Sequence, residues 1–244
     1  MTLRKNNLKA LGGILFGQTN ILTDVIEPSR QRLFHQISQH PWTFMTARDP
    51  ITDIPLVWTR NENSERGRDP FPKKQYLEHY VDSLIKEPVL IVPKSRQMII
   101  STCTLVVCLW EIMFRPSWRA ILSKVTEDEA EELLENKVRY TYKHLPEWLR
   151  RMRRIEPRPK GKALCKETNS YILAAAQNAA NRECRGGTAN RLVVDEACYQ
   201  DQFQEICEAG QPMTKHFNAI STPNVSYSGG VFMRGVVYDE EVGI

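Results

Sequence analysis

Long apolar runs are what this 244-residue chain lacks. No stretch approaches the roughly 18 consecutive apolar residues that a bilayer-spanning helix needs, so no membrane is expected among its partners. The patch Leu11-Gly12-Gly13-Ile14-Leu15-Phe16 is too short and too rich in glycine for a secretory leader. Strong net charge is also missing: the formal value is +4 at pH 7, so composition alone does not announce nucleic-acid binding. The six cysteines, Cys103, Cys108, Cys165, Cys184, Cys198 and Cys207, show no paired spacing of metal ligands and read as reduced core residues of a cytosolic protein. Glycine is absent from the whole stretch Pro93 to Thr102, where the surrounding pattern most calls for it.

What is present is a globular composition, 41% hydrophobic and 25% charged, enough for a sizeable core in one large domain or two small ones. Residues 1–70 have weak periodicity and many turn formers and read as an N-terminal appendage or lid, with a helix over Glu27 to Ser38. From Phe71 the pattern sharpens into a core, 71–244. Helices are predicted over Lys74 to Lys86, Ile99 to Phe114, Thr126 to His144 and Asp201 to Ala209. The third opens on a capping box, Thr126 to Glu129. Strands are predicted over Val89 to Val92, Arg119 to Ser123, Tyr171 to Ala175, Arg191 to Val194 and Phe217 to Ser221. Apolar strands alternating with helices specify an α/β fold, a mostly parallel sheet flanked by helices. Ligands of such sheets sit beyond the carboxyl ends of the strands.

Three strand ends carry chemistry. After Val89-Leu90-Ile91-Val92 the chain breaks into Pro93-Lys94-Ser95-Arg96-Gln97-Met98-Ile99-Ile100-Ser101-Thr102 and then a helix; helix N-termini offer unpaired N–H groups and a partial positive charge to phosphate. Leu192-Val193-Val194 ends in Asp195-Glu196, where an aspartate can hold hydrated Mg2+ and the next glutamate can polarise a water, although apolar strands also end in merely solvated acids. Ile220-Ser221-Thr222-Pro223-Asn224 follows a third strand and by itself is ordinary turn chemistry. Ser101 and Thr102 admit a second reading as helix caps, and Gln75 as a solvated helix glutamine. The basic run from Lys137 to Lys162 reads either as a phosphate-contacting patch or as a solvated face.

Together, Phe71-Pro72, the Lys94 to Ser101 loop, Val193 to Ala197 and Ile220 to Asn224 resemble the ATPase motor domain of the large terminase subunit of tailed bacteriophages. The resemblance covers roughly Phe71 to Asn224 and implies a P-loop NTPase of the additional-strand, catalytic-glutamate type that drives double-stranded viral DNA into a procapsid. Walker A is then the stretch Lys94, Ser95, Arg96, Gln97, Met98, Ile99, Ile100, Ser101 and Thr102, with its lysine moved to the front, because Ile100 stands where the usual lysine would be. Walker B is Asp195 with Glu196 as the catalytic base; Ser101 and Asp195 hold Mg2+, and Gln75 reads the adenine of ATP. Arg96 is a candidate arginine acting within the subunit and Arg185, on a turn beside Arg182, one acting on a neighbour. Ser221, Thr222 and Asn224 match the coupling motif. The same resemblance implies a portal protein and a small terminase subunit as partners, a homo-oligomeric ring on the procapsid, and the host cytoplasm as location. Asp239, Glu240 and Glu241 form a charge run and not a nuclease cluster, so no nuclease activity is expected. The rival readings are a helicase-like nucleic-acid-dependent ATPase and a catalytically silent DNA-binding or assembly module with a degenerate loop.

Overall fold

The computed structural model describes residues 26–61, 64–156, 160–186 and 188–238. Helices α1 (Pro28–Gln39) and α2 (Pro41–Thr46) each open on a proline, whose missing N–H would have had no partner there. Strands β1 (Trp58–Arg60) and β2 (Arg68–Pro70) pair antiparallel. Then come α3 (Gln75–Lys86), β3 (Val89–Pro93), α4 (Ile100–Phe114) and β4 (Arg119–Lys124). The expected capping box is present: Thr126 and Glu129 satisfy each other's backbone donors at the start of α5 (Glu127–Leu133). That helix passes through a π-helical segment, Leu134–Arg139, into α6 (Tyr140–His144). The remainder is α7 (Glu147–Met152), β5 (Lys162–Cys165), β6 (Ser170–Ala176), α8 (Gln177–Gly186), β7 (Ala189–Asp195), α9 (Phe203–Gly210), β8 (Thr214–Ser221) and α10 (Ser228–Tyr238).

The main sheet has the order β3-β8-β7-β4-β6-β5. Every pairing is parallel except that of β5 with β6 at the edge. The carboxyl ends of five strands therefore meet at one rim of the sheet. Side chains alternate between its faces. Val193, Ala120, Leu122 and Ile220 turn toward α4 and the larger core cluster, whereas Leu192, Val194, Ile121, Phe217 and Ala219 turn toward α9 and α10. The same parity puts Arg191, Asp195 and Lys124 on the α4 side.

Helix α4 is apolar nearly all round, which requires cover on both of its sides. The sheet supplies one cover and the N-terminal segment the other. Where residues 1–70 read as an appendage or lid, the described part is built into the core: Leu33, Ile37, Phe44, Met45, Leu56 and Val57 share one cluster with α4. The Trp110 indole donates to the Ile37 carbonyl at 2.7 Å. Trp110, Trp118 and Trp148 are all buried, as their apolar contexts predict.

Two polar groups inside this apolar packing fix its register. Arg191 and Glu111 are fully buried and joined by two hydrogen bonds of 2.8 Å; Arg191 also donates to the Leu84 carbonyl at 2.9 Å and to Asn218, while Trp118 donates to Glu111 at 3.1 Å. Asp49, 2% exposed, accepts from Arg30 at 3.0 Å, from the Ile51 and Thr52 amides, and from the Trp148 indole at 2.7 Å. Burial alone would raise its pKa, but Arg30, the amides and Trp148 outweigh burial and hold it at about 2.

The basic run is largely consumed by the fold. Arg139 bonds the Lys162 carbonyl and Glu135, Arg153 stacks on Phe34 and donates to the Met113 carbonyl, and Arg151 and Arg154 pair with Glu147 and Glu167. Arg139 and Arg153 in this run close loops, and Arg151 and Arg154 pair with carboxylates at the surface. Sequence spacing could not reveal this, because most of the partners come from other elements.

Two stability measurements check this packing. Glu111→Ala, which leaves a buried guanidinium unpaired, is expected to cost about 3–5 kcal/mol in urea unfolding, and Glu111→Met with Arg191→Met much less than the sum of the single changes. The Asp49 contribution is fully present above its ordinary value of 3.8 and is lost as pH falls through about 2. Roughly 2 kcal/mol should disappear across that window in acid titrations of stability, and Asp49→Asn should flatten the loss.

Candidate functional site

The rim formed by the carboxyl ends of β3, β8, β7 and β4 gathers most of the residues singled out in the sequence. Lys94 follows β3, and its backbone N–H donates to the Ser221 carbonyl at 2.8 Å, tying the loop to β8. Ser95, Arg96 and Gln97 are exposed, while Met98 and Ile99 are half-buried. The Lys94 and Arg96 side chains form no ion pair among the described residues. Gln97 and Ile99 have positive φ, 63° and 60°. The left-handed turn that a glycine would make is thus made without one, and a β-branched residue there is strained by about 1–3 kcal/mol.

Ile100 begins α4 and is buried at 4% exposure in the main core cluster. The position at which the resemblance would put a lysine therefore faces the core. The capping alternative for Ser101 does not hold: the helix N-cap is Ile99, with no side-chain cap. Instead the Ser101 hydroxyl donates to Asp195 Oδ1 at 2.6 Å. Thr102 is half-buried and forms no side-chain hydrogen bond among the described residues. Gln75 is exposed at the start of α3, and its neighbour Tyr76 donates to the Met98 carbonyl at 3.2 Å, holding that helix end against the loop.

Asp195 is 4% exposed at the tip of β7, and Glu196 follows it in the left-handed conformation, φ 57°. That backbone turn swings Glu196 out of the strand and leaves its side chain half-exposed at 51%. Ser221 is buried; its hydroxyl accepts from the Cys198 amide at 3.1 Å and donates to the Thr222 carbonyl at 3.0 Å. The segment Ser221 to Asn224 is therefore joined to the turn that carries Glu196. Asn224 accepts from the Ser226 amide at 3.0 Å, an Asx turn. Helix α10 lies directly on both turns: a Cβ on Gly229 would come within 2.4 Å of the Gln200 carbonyl, and one on Gly230 within 1.6 Å of the Asn224 carbonyl.

Two residues of this rim escaped the sequence reading. Lys124, the last residue of β4, places its ammonium 3.3 Å from Asp195 Oδ2 and 2.5 Å from Glu196 Oε2. Burial works to depress its pKa, but the two carboxylates outweigh it and the net shift is upward, so the lysine stays charged at neutral pH. Buried Gln200 bridges the strand ends: its amide donates to the Asp195 carbonyl at 2.9 Å and the Ser123 carbonyl at 3.2 Å, and accepts from the Ser123 hydroxyl at 2.9 Å. The available signal for Lys124 was a lysine ending an apolar strand of the parallel set. Gln200 carried no sequence signal.

Arg185 is placed differently from expectation. It lies in the last turn of α8 and not on a turn; its side chain is outside the described residues. The helix has run back to the opposite end of the sheet, where Arg119 of β4 bonds Glu183 and the Thr188 carbonyl at 3.2 Å. Since β7 spans Ala189–Asp195, this end is roughly 20 Å from the acidic pair of the same chain. Asp239 to Glu241 lie outside the described residues.

Hard oxygen donors are what this rim offers a cation. Among the described residues no group of three His, Cys, Asp or Glu forms a closed metal cage. One buried carboxylate beside a hydroxyl suits Mg2+, which keeps waters and takes its remaining ligands from phosphate.

Phage large terminases are among the solved structures to which the chain is similar. They include a mutant ATPase domain of the large terminase of Thermus phage P74-26, at 15% identity and TM-score 0.49 over 66% of this chain and 70% of that one. The HK97 bacteriophage large terminase gives 13% and 0.49 over 64% of this chain and 34% of that one. The large terminase of a thermophilic bacteriophage in complex with ADP gives 13% and 0.45, over 62% and 39%. This chain thus spans well under half of the last two proteins. No protein-family model matches the chain, and no curated protein sequence does. The fold itself stands on the strand order: β8 lies between β3, which leads into the Lys94 loop, and β7, which ends in Asp195. No described helix is long and apolar enough to cross a membrane.

The strained loop gives a direct test. Ile99→Gly is expected to raise stability by about 1 kcal/mol in urea unfolding, the relief of strain exceeding the added freedom of the unfolded chain. A loss of stability would show that the Ile99 side chain contributes more through packing than its backbone costs.

Proposed function

We propose that the chain is an ATP-hydrolysing motor domain of a terminase type that moves double-stranded DNA into a viral procapsid. The observation that carries this reading is the 2.6 Å hydrogen bond between Ser101 and Asp195, which joins the start of the loop helix to the acidic pair across β8. Phosphates would lie on the loop, against the free N–H groups at the start of α4, with Lys94 and Arg96 supplying positive charge in place of the lysine missing at Ile100. Ser101 and Asp195 would hold Mg2+, which when bound offsets charge on the phosphates. Glu196, turned out of the strand, accepts a proton from the attacking water. Gln75, beside the loop, reads the adenine edge. Ser221, Thr222 and Asn224 relay the state of the site to the turn after Glu196, through the Ser221 to Cys198 bond.

Arg185, far from its own site, would serve a neighbouring subunit in a ring. The portal protein and a small terminase subunit complete the assembly in the host cytoplasm, and no nuclease activity is assigned to this portion. The similar structures are named as large terminases, one holding ADP, which supports this reading. The buried Ile100 favours the silent-module alternative, and ATP hydrolysis with and without DNA decides between them.

Glu196→Gln should retain ATP binding and lose at least about a hundredfold in turnover, measured by phosphate release. Lys94→Ala should weaken nucleotide binding severalfold in fluorescence titrations. Normal hydrolysis by the Glu196 variant would overturn the mechanism.

A further inference from the structure

The two carboxylates of the rim already hold a cation of their own. Both oxygens of Asp195 are engaged, Oδ1 by Ser101 at 2.6 Å and Oδ2 by the Lys124 ammonium at 3.3 Å, and the same ammonium lies 2.5 Å from Glu196. We propose that Lys124 is a built-in counter-cation that closes the Asp195–Glu196 pair to divalent metal in the nucleotide-free protein, so that metal is admitted only together with nucleotide. The proposal rests on the reading of Asp195 as a metal ligand and adds an order of binding to it.

Several features of the fold put the ammonium there and keep it there. Strand alternation aims Lys124 and Asp195 at the same face of neighbouring strands. Gln200 clamps the two strand ends through the Ser123 and Asp195 carbonyls, which fixes the distance between the lysine stem and the carboxylates. The Lys124 side chain is only 10% exposed, so little water competes with the ion pairs. A free divalent ion approaching Asp195 meets an ammonium in contact with the oxygen it would bind, and the two cations repel at short range with little screening. Nucleotide changes the balance, because its phosphates bring negative charge along with the metal.

A place for the displaced ammonium also exists. A groove of about 610 Å3 opens on the side of Lys124, lined by Glu196, Glu129, Glu132, Asn136 and Lys137 among others. Its exposed glutamates, Glu129 and Glu132, offer the lysine alternative acceptors in a groove that Arg60 and Lys137 also line.

Binding of Mn2+ to the nucleotide-free protein, followed by loss of the free-ion paramagnetic resonance signal, tests the idea without any turnover. The wild type should take up no stoichiometric Mn2+ until a non-hydrolysable ATP analogue is added. Lys124→Met, checked for folding by its melting curve, should gain one site at least about tenfold tighter than any in the wild type. Lys124→Met combined with Asp195→Asn should lose that site, and Lys124→Arg should behave as wild type. Stoichiometric Mn2+ uptake by the nucleotide-free wild type would overturn the proposal even if the Met variant failed to fold, and so would a folded Met variant with no new site. Absence of ATP binding by the wild type would defeat the ATPase reading instead, and the nucleotide-free comparison would still decide the role of Lys124.

Discussion

A single buried ion pair, Glu111 with Arg191, sets the relation between the two halves of the site. Glu111 lies on α4, whose first turn carries Ser101, and Arg191 lies on β7, whose tip carries Asp195. Two hydrogen bonds of 2.8 Å between fully buried side chains leave the helix neither free to slide along the strand nor to rotate. Breaking such a pair on one side is costly because the remaining charge has nowhere to go. Apolar packing alone would hold α4 against the sheet in several nearby registers; the directional bonds select one. The 2.6 Å contact between Ser101 and Asp195 depends on that selection.

Around this axis the chain places its polar groups at the rim and spends its apolar ones on cover. The N-terminal helices close the outer side of α4, and α9 and α10 close the far face of the sheet. The rim is tied crosswise by short bonds: Lys94 to Ser221, Ser221 to Cys198, and Gln200 to both Ser123 and Asp195. The Gln200 to Asp195 bond closes the turn after β7 on its own strand, and each of the others joins the end of one strand to the turn after another. Helix α10 rests on two of these turns through Gly229 and Gly230.

Much of the fold was legible because it is local. The periodicities that predict helices over 74–86 and 99–114 and strands over 89–92 and 191–194 match α3, α4, β3 and β7 to within a few residues, since amphipathic spacing and apolar runs are properties of neighbouring positions. The capping box at Thr126 is likewise a local device. What was not legible involves partners distant in the chain. The basic run reads as a phosphate-contacting patch or a solvated face until its carboxylate and carbonyl partners are seen, and Lys124 falls just past the predicted strand, Arg119 to Ser123, until β7 is laid beside it. Arg185 reads as a turn residue because glycines follow it, yet the helix begun at Gln177 extends through it.

The sequence by itself determined the class of fold, the alternation of strand and helix, and the three strand ends that carry the candidate site residues, because each follows from hydrophobic spacing and from the residue types at element boundaries. Only the tertiary structure decided that Ile99 makes a left-handed turn without glycine, that Ile100 faces the core, and that Ser101 and Lys124 share the two oxygens of Asp195. The physical reason is that strand order and face are settled by long-range packing and by buried charge pairs, and a linear reading of residues contains neither.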